Sequence, residues 1–260
     1  MSMVIAIANQ KGGVGKTTTT ISLGAALAEL GARVLLIDMD SQGTLSIALG
    51  VNGLNGTMYD VLRDTDMAID SILLPTATNC DLAPSNIHLA GADIELINEP
   101  GREFILKGKL AEVDDRYDYV LLDCPPSLGM LTLNSFTAAR SILIPVQAHY
   151  LAFRGMQMLL NTIAKVKTRL NPDLEIMGIL PTFYDRRTRH SQEVVHQLKE
   201  YYGDKVIDIP IPSTIKFADT TLAGESILTY SGSSPAAAAY RKLAREVHNG
   251  KKSKRGKALS

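Results

Sequence analysis

The chain has 260 residues, of which 45% are hydrophobic, and its 27 basic and 27 acidic side chains give a formal net charge of zero. This length is ordinary for one α/β domain with a sizeable core, so we expect a single domain over residues 1–250 and a basic, disordered tail at 251–260. A net charge of zero excludes a uniformly basic nucleic-acid-binding protein, and any contact with DNA must come from a local basic patch.

The cysteines and the apolar runs bear on where such a chain resides. Two cysteines, Cys80 and Cys124, are too few for a disulfide framework and fit a reducing cytoplasm. The first apolar run is short and is followed at once by Lys11, which does not fit a signal peptide. No apolar stretch approaches the roughly 18–20 residues needed to span a bilayer. We therefore expect a soluble protein without membrane association.

A glycine-rich stretch, Lys11-Gly12-Gly13-Val14-Gly15-Lys16-Thr17-Thr18, follows an apolar run at residues 4–8 that is typical of a buried strand. Residues 19–30 after it carry apolar side chains at helical spacing. Because glycine has no Cβ, the backbone of such a loop can approach phosphate oxygens closely, and the helix N-terminus adds partial positive charge. Lys16 is then placed for the β- and γ-phosphates, and the Thr17 hydroxyl for Mg²⁺. The stretch predicts a P-loop that binds ATP with its magnesium ion.

The loop departs from the usual P-loop pattern, since Gln10 stands where the first glycine is expected and Lys11 is a second lysine ahead of paired glycines. In this form it resembles the deviant Walker A motif of the ParA/MinD class of ATPases. The resemblance implies that Lys11 contacts the phosphates bound by the partner subunit of a nucleotide-sandwich homodimer, which forms on ATP binding. A cation beside the transferring phosphoryl group stabilises its charge, so dimerisation and hydrolysis would both depend on Lys11.

Two acidic motifs follow in the order that this family shows. Residues 33–37 are typical of a buried strand that ends at Asp38, and Asp40 comes two residues later, where the ends of parallel strands face a ligand. The resemblance implies that Asp40 orients or activates the attacking water and that Asp38 helps to organise the Mg²⁺ shell. The strand at residues 117–122 ends at Asp123, as in a Walker B motif, whose carboxylate holds Mg²⁺ through a water. We expect Thr17, Asp38 and Asp123 at the metal and Lys11, Lys16 and Asp40 at the reacting phosphate.

The remaining pattern predicts an α/β P-loop fold, with a mostly parallel twisted sheet flanked by helices. Further strands are predicted at residues 80–85, 141–147, 175–182 and 206–212. Further helices are predicted at residues 57–62, 87–97, 153–170, 235–248 and in a segment that ends near Tyr202. In the family, the loop after the last strand packs on the adenine base, which makes Pro212 and Thr214 candidates for that contact. His149 stands where the family commonly has an acidic residue, and we expect it in a surface loop.

Three basic clusters lie in the C-terminal half. In the ParA/Soj branch of the family, basic residues of this half contact the backbone of double-stranded DNA without sequence preference. The candidates here are Arg186, Arg187, Arg189, Lys216, Arg241, Lys242, Arg245 and the tail. Such binding depends on phosphate neutralisation and should weaken steeply with salt. A solvated helix face explains each cluster equally well, and Ser213 stands where most family members have arginine.

The resemblance covers nearly the whole chain and implies a cytoplasmic, nucleoid-associated DNA-partition ATPase. Its ATP-bound dimer would bind DNA, and a ParB-like partner or an analogous cargo adaptor would stimulate hydrolysis. The cargo would be a plasmid or chromosome, or, as in related proteins, a carboxysome or chemoreceptor cluster.

Other functional classes need features that the sequence does not display. A MinD-like membrane switch needs a C-terminal amphipathic helix with apolar anchors, whereas this end is rich in lysine. An iron–sulfur reductase needs cluster-ligating cysteines, and no suitable pair is evident. A cobyrinate-type amidoligase needs a metabolite pocket, which the sequence does not identify.

Overall fold

The computed structural model describes residues 2–51, 55–148 and 155–258, with side chains described as far as Gly250. Within these residues one sheet contains β1 Met3–Ile7, β2 Val34–Asp38, β3 Leu74–Pro75, β4 Asp81–Ala83, β5 Tyr119–Asp123, β6 Ser141–Gln147 and β7 Glu175–Thr182. The strand order is β3-β4-β2-β5-β1-β6-β7, and the pairs are parallel except for the short β3 against β4. The predicted fold class is confirmed.

The helices cover both faces of this sheet. In chain order they are α1 Lys16–Glu29, α2 Thr44–Ala48, α3 Met58–Arg63, α4 Leu89–Glu95, α5 Ile105–Ala111, α6 Met130–Ala138, α7 Met156–Arg169, α8 Arg189–Tyr202, α9 Lys216–Ala223, α10 Ile227–Tyr230 and α11 Pro235–Ala258. Helices α1, α2 and α9–α11 share one hydrophobic cluster, and α3–α8 share the other. Along β1, Val4 and Ala6 face one cluster while Ile5 and Ile7 face the other, because side chains alternate along a strand. Because both faces of the sheet are covered, the strands are apolar at consecutive positions in the sequence.

Parallel pairing brings the ends of three strands together. Asp123, the last residue of β5, is in register with Ile7 of β1 and with Asp38 of β2. The loops that follow β1, β2 and β5 therefore lie side by side, and we call this edge of the sheet the carboxyl edge. It is where open α/β sheets bind ligands.

The prediction of a last strand at residues 206–212 is wrong. This segment runs beside β7 and forms isolated bridges at Val206 and Pro212, while Ile207 N–H donates to the Ile179 carbonyl at 2.9 Å. Prolines at 210 and 212 have no N–H to donate, so a continuous ladder cannot form.

Two helix boundaries also differ from expectation. Helix α11 continues to Ala258 rather than ending near His248, so the backbone of residues 251–258 is helical where we expected a disordered tail. Lysine, arginine and alanine are good helix formers, which accounts for the extension. Helix α7 begins at Met156, whereas the predicted start at Phe153 and the loop residue His149 lie outside the described residues.

Among the described helices, none has the length and apolar character needed to cross a membrane.

Candidate nucleotide-binding site

The loop between β1 and α1 has the backbone conformation that its glycines allow. Gly13 has φ +70° and Gly15 has φ +86°, values that L side chains rarely adopt. Gly15 lies beside the ring of Phe183, from which a Cβ built at Gly15 would be 3.5 Å away, an ordinary van der Waals distance. A side chain at either position would strain the loop. The loop therefore leads directly into the N-terminus of α1, which favours bound anions.

Two buried side chains anchor this loop to neighbouring strands. Asn9 Nδ2 donates to the Pro145 carbonyl at 2.7 Å, and Asn9 Oδ1 accepts from the backbone N–H of Lys11 at 3.0 Å. Thr182 Oγ1 donates to the Val14 carbonyl at 2.8 Å. Strands β6 and β7 thus hold the phosphate-binding loop in place from one side. Sequence analysis identified neither anchor.

The three residues predicted at the metal lie together at the carboxyl edge. Thr17 Oγ1 donates to Asp123 at 2.7 Å, and Asp123 is in register with Asp38 on the adjacent strand. Burial, followed by the charge of Asp38, raises the pKa of Asp123 to about 7, and burial raises the pKa of Asp38 to about 6. Two buried neighbouring carboxylates favour a bound cation, and a hydroxyl with carboxylate oxygens suits Mg²⁺. These residues fit the expected metal.

The two lysines of the loop have different surroundings. Lys16 is only 8% exposed, and its positive charge acts to lower the pKa of Asp123. Lys11 is half-buried, and its Nζ lies 3.4 Å from Oε1 of Gln147 at the end of β6. Lys16 therefore belongs to the interior of its own site, whereas Lys11 stands at the rim against a neutral amide.

The loop after β2 is folded around Asp38. Asp38 Oδ2 accepts hydrogen bonds from the backbone N–H and the hydroxyl of Ser46, at 2.9 and 2.8 Å. Asp38 Oδ1 accepts from the backbone N–H of Asp40 at 3.1 Å, and the Asp40 carboxylate accepts from Gln42 N–H at 3.0 Å. Asp38 therefore holds the loop that carries Asp40, which ties the position of one predicted residue to the other.

The predicted base-contacting residues are connected to the P-loop through the segment that follows β7. Pro212 forms a bridge with Tyr184, and Thr214 follows two residues later. Tyr184 comes directly after Phe183, whose ring packs on Gly15. The chain thus brings Pro212 and Thr214 to the side of the loop on which Phe183 stands.

A pocket that sequence analysis missed opens beside Thr17 and Thr18, between α1, α2 and the α9–α10 connection. Its other lining residues are Ile21, Ser22, Thr44, Ala48, Thr220, Thr221, Glu225, Ser226 and Ile227. The pocket adds hydroxyl groups and one carboxylate to the surroundings of the P-loop threonines.

Comparison with known proteins gives the family. A protein family described as an AAA domain matches residues 2–176. The sporulation initiation inhibitor protein Soj of Bacillus subtilis is 45% identical over 249 residues, which cover 95% of this chain and 98% of Soj. The chromosome partitioning protein ParA of Caulobacter vibrioides is 42% identical over 259 residues, which cover 98% of this chain and 97% of ParA. This chain belongs to the ParA/Soj family of P-loop ATPases.

A solved structure supports the same fold. Cobyrinic acid a,c-diamide synthase from Mycobacterium smegmatis, crystallised with bound ADP and magnesium, matches with a TM-score of 0.88 and 43% identity. The match covers 97% of this chain and 96% of that chain. The predicted membership of the ParA/MinD class and the predicted ATPase are both confirmed.

Some of the basic residues expected to contact DNA in a ParA/Soj protein cluster near the carboxyl edge. Arg186, Arg187 and Arg189 are exposed around the start of α8, and Arg187 forms a two-point contact with Asp185 at 2.9 and 3.0 Å. Lys216 begins α9, is exposed, and donates to the hydroxyl of Ser231 at 2.7 Å. The bridge between residues 184 and 212 brings these two segments close together.

The other basic candidates lie on α11, which runs toward the opposite edge of the sheet. His248 contacts the hydroxyl of Tyr119 at the amino end of β5, at 3.1 Å. Arg241 binds both carboxylate oxygens of Glu29, at 2.6 and 2.8 Å, so its charge is compensated within the protein. The remaining two candidates, Lys242 and Arg245, are exposed. The predicted residues therefore form two separate groups, and Arg241 belongs to the packing of α11 on α1.

Proposed function

We propose that this protein is an ATP-dependent, dimerising DNA-partition ATPase of the cytoplasm that associates with the nucleoid. Its ATP-bound sandwich homodimer binds double-stranded DNA without sequence preference, and a ParB-like partner or analogous adaptor stimulates hydrolysis. The observation that carries the proposal is the contrast between the two P-loop lysines. Lys16 is buried and its charge acts on Asp123 of the same subunit, whereas Lys11 stands at the rim, where a second subunit can present its phosphates.

Each residue of the site has a defined part in this cycle. Bound Mg²⁺ neutralises phosphate charge, and Thr17 and Asp123 hold it. Lys16 binds the phosphates, and Asp40 orients the attacking water on the loop that Asp38 organises. Lys11 supplies its charge to the phosphate of the partner subunit, as an arginine finger does when it acts in trans.

The DNA-binding face is proposed at the exposed basic residues near the carboxyl edge. Arg186, Arg189 and Lys216 are exposed and lie on neighbouring segments. Such a cluster neutralises backbone phosphates without reading bases. Lys242 and Arg245 form a second group on α11, and we leave Arg241 out because Glu29 already binds it.

Two observations bear on the cargo. The relative named chromosome partitioning protein ParA favours a chromosome, and a plasmid, a carboxysome or a chemoreceptor cluster is the alternative. The M. smegmatis structure is named cobyrinic acid a,c-diamide synthase, so amidation is a competing activity. In this chain burial raises the pKa of both Cys80 and Cys124 to about 12, so neither thiol is an ionised nucleophile at neutral pH. The names of the Soj and ParA relatives favour partition.

The experiment measures DNA binding and molar mass in parallel, without nucleotide, with ADP–Mg²⁺ and with ATP–Mg²⁺, over a salt series. We expect a dimer and DNA binding only with ATP–Mg²⁺, and a steep loss of binding with salt. Asp40→Ala should bind ATP and hydrolyse it slowly, which should keep the dimer on DNA for longer. DNA binding by a monomer that is indifferent to nucleotide would contradict the proposal.

A further inference from the structure

Phe183, the residue that follows β7, has a backbone conformation that is rare for a large side chain. Its φ is +52°, in the left-handed region, where a Cβ crowds the backbone. In the part of the chain that the structure describes, Asn79 is the only other residue besides glycine with a positive φ, at +57°. Asparagine tolerates this conformation, whereas phenylalanine is strained in it. Such strain persists where the surrounding structure imposes it, and it is most common at functional sites.

The residues on either side hold Phe183 in this conformation. Thr182 is buried at the end of β7, and its carbonyl accepts from the backbone N–H of Ala148 at 2.9 Å. The backbone N–H of Tyr184 donates to the Ile211 carbonyl at 2.9 Å. These two bonds attach the neighbours of Phe183 to different segments of the chain. The change of direction between them therefore falls on Phe183.

The left-handed turn allows two consecutive side chains to contact the same loop. Thr182 Oγ1 donates to the Val14 carbonyl at 2.8 Å. Consecutive side chains of an extended strand point to opposite faces, so an extended Phe183 would direct its ring away from that loop. Instead the ring lies beside Gly15, 3.5 Å from the position that a Cβ there would occupy. Residues 182 and 183 thus hold the P-loop at the two positions directly before Lys16.

This end of the P-loop determines how phosphates are received. Gly15 has φ +86° and leads into α1 at Lys16, so a shift of Gly15 would move the loop N–H groups and the lysine together. The anchor formed by Asn9 acts at the other end of the loop, on the N–H of Lys11. Small displacements of positioned groups are costly, because a preorganised site loses its geometry. The contact with Phe183 therefore bears on nucleotide binding itself.

We propose that Phe183 is a positioning residue of the ATPase site. Its ring holds Gly15 and the turn into α1 in the conformation that receives phosphates, before any nucleotide arrives. The strained backbone of Phe183 is the consequence of placing the ring there. This role concerns the ATPase alone and does not depend on dimerisation, DNA binding or cargo. The competing role is direct contact of the ring with the base, since the base-contacting candidates are connected to the same segment.

The first experiment compares two ligands that share phosphates and differ in the base. ADP–Mg²⁺ and inorganic triphosphate–Mg²⁺ are titrated into the full chain by calorimetry. Phe183→Ala removes the ring, and both ligands should bind about tenfold more weakly, the scale of a small displacement in a preorganised site. Phe183→Tyr keeps the ring and should bind both ligands as the wild type does.

Three outcomes of this comparison would overturn the proposal. Unchanged affinity for both ligands in Phe183→Ala would show that the loop does not need the ring. A loss confined to ADP would mean that the ring contacts the base. Failure of the wild-type chain to bind triphosphate at millimolar concentration would also count against it, because a loop that is held ready for phosphates needs no base.

The second experiment separates the ring from the backbone strain. Phe183→Gly also removes the ring, but glycine adopts a positive φ without a penalty. It should therefore melt at a higher temperature than Phe183→Ala and still bind both ligands as weakly. Wild-type affinity in the glycine variant would show that affinity follows stability, which contradicts a positioning role. Because glycine relieves the strain, this variant also supplies the ligand comparison should Phe183→Ala not fold.

Asn79 provides the matched control, because it has the same backbone conformation at the opposite edge of the sheet, before β4. Asn79→Gly should melt at a higher temperature than Asn79→Ala, as in the other pair. Both control variants should bind ADP–Mg²⁺ and triphosphate–Mg²⁺ with wild-type affinity. A tenfold loss in Asn79→Ala as well would show that any strained turn weakens binding, and Phe183 would then have no specific part in it.

Discussion

The phosphate site and the basic surface beside it are built in opposite ways. At the ends of β1, β2 and β5 the side chains of Lys16, Asp38 and Asp123 are buried, and Asp38 alone accepts three hydrogen bonds. Around the starts of α8 and α9, Arg186, Arg189 and Lys216 stand in solvent. A buried site whose side chains are linked by hydrogen bonds depends on each of them. Exposed charges act through their summed electrostatic potential, to which each contributes a part. Single substitutions should therefore have large effects in the first region and graded ones in the second.

Lys16→Ala should have the largest effect. It removes a buried positive charge from beside Asp123, and a charge-assisted contact of this kind is worth about 3 kcal/mol, so ATP should bind about 100-fold more weakly. Isothermal titration calorimetry with ATP–Mg²⁺ measures the loss, and Arg189→Ala is the control that should bind ATP as the wild type does. Normal ATP binding by Lys16→Ala would show that the phosphate site does not depend on this single residue, which would contradict the contrast between the two regions.

Lys11→Ala should separate binding from turnover. Because Lys11 is at the rim, the variant should bind ATP nearly normally, remain a monomer and lose ATP turnover by about 10³-fold, the scale of a charge supplied in trans.

A mixture of two inactive variants tests this role directly. In a dimer of Lys11→Ala with Lys16→Ala, the first subunit binds ATP and the second supplies Lys11 across the interface. Partial recovery of ATP turnover is expected from action in trans. If Lys11 acts only within its own subunit, the mixture will be as inactive as its components.

The two regions also differ in how much of them the sequence could predict. The P-loop and the strands ending at Asp38 and Asp123 are local patterns, so the sequence predicts where they lie, and the resemblance to a known family supplied the role of Asp38. The anchors were not predictable in this way, because Asn9 and its partner Pro145 are 136 residues apart. Ser46 was missed for a related reason, since a serine in a short helix has no spacing that marks it as a partner of Asp38.

Outside the site, the prediction of helices and strands was wrong or incomplete where another feature of the sequence outweighed the pattern of apolar residues. Residues 206–212 have the composition of a strand, yet two prolines interrupt the ladder. Helix α6, over residues 130–138, was not predicted, because its polar residues are buried: Asn134 and Ser135 bond to backbone groups within the fold. Such satisfaction of buried polar groups is visible only in three dimensions.

The buried carboxylates should give the nucleotide-free protein a characteristic pH dependence. The pKa of Asp123 is raised from its ordinary value of 3.8 to about 7, so between these values the folded state binds more protons than the unfolded state. Stability therefore falls as pH rises through this window. Asp123→Asn removes the titrating group, and it should be more stable than the wild type at pH 8, with the difference shrinking toward pH 5. The test is to measure the melting temperatures of both proteins at several pH values. Parallel curves of melting temperature against pH would show that ionisation of Asp123 does not destabilise the folded protein.

Removing single charges from the basic surface should have the smallest effects, and the structure ranks them. Arg189→Ala should reduce the slope of log affinity for DNA against log salt by about 0.9, the value for one phosphate contact. Arg187→Ala should reduce it less, because Asp185 already binds that guanidinium. Arg241→Ala should leave the slope unchanged and lower the melting temperature instead, because it breaks the contact with Glu29. Equal slopes in all three variants would mean that DNA responds to the total charge of the protein. The exposed residues beside the phosphate site would then have no individual part in binding.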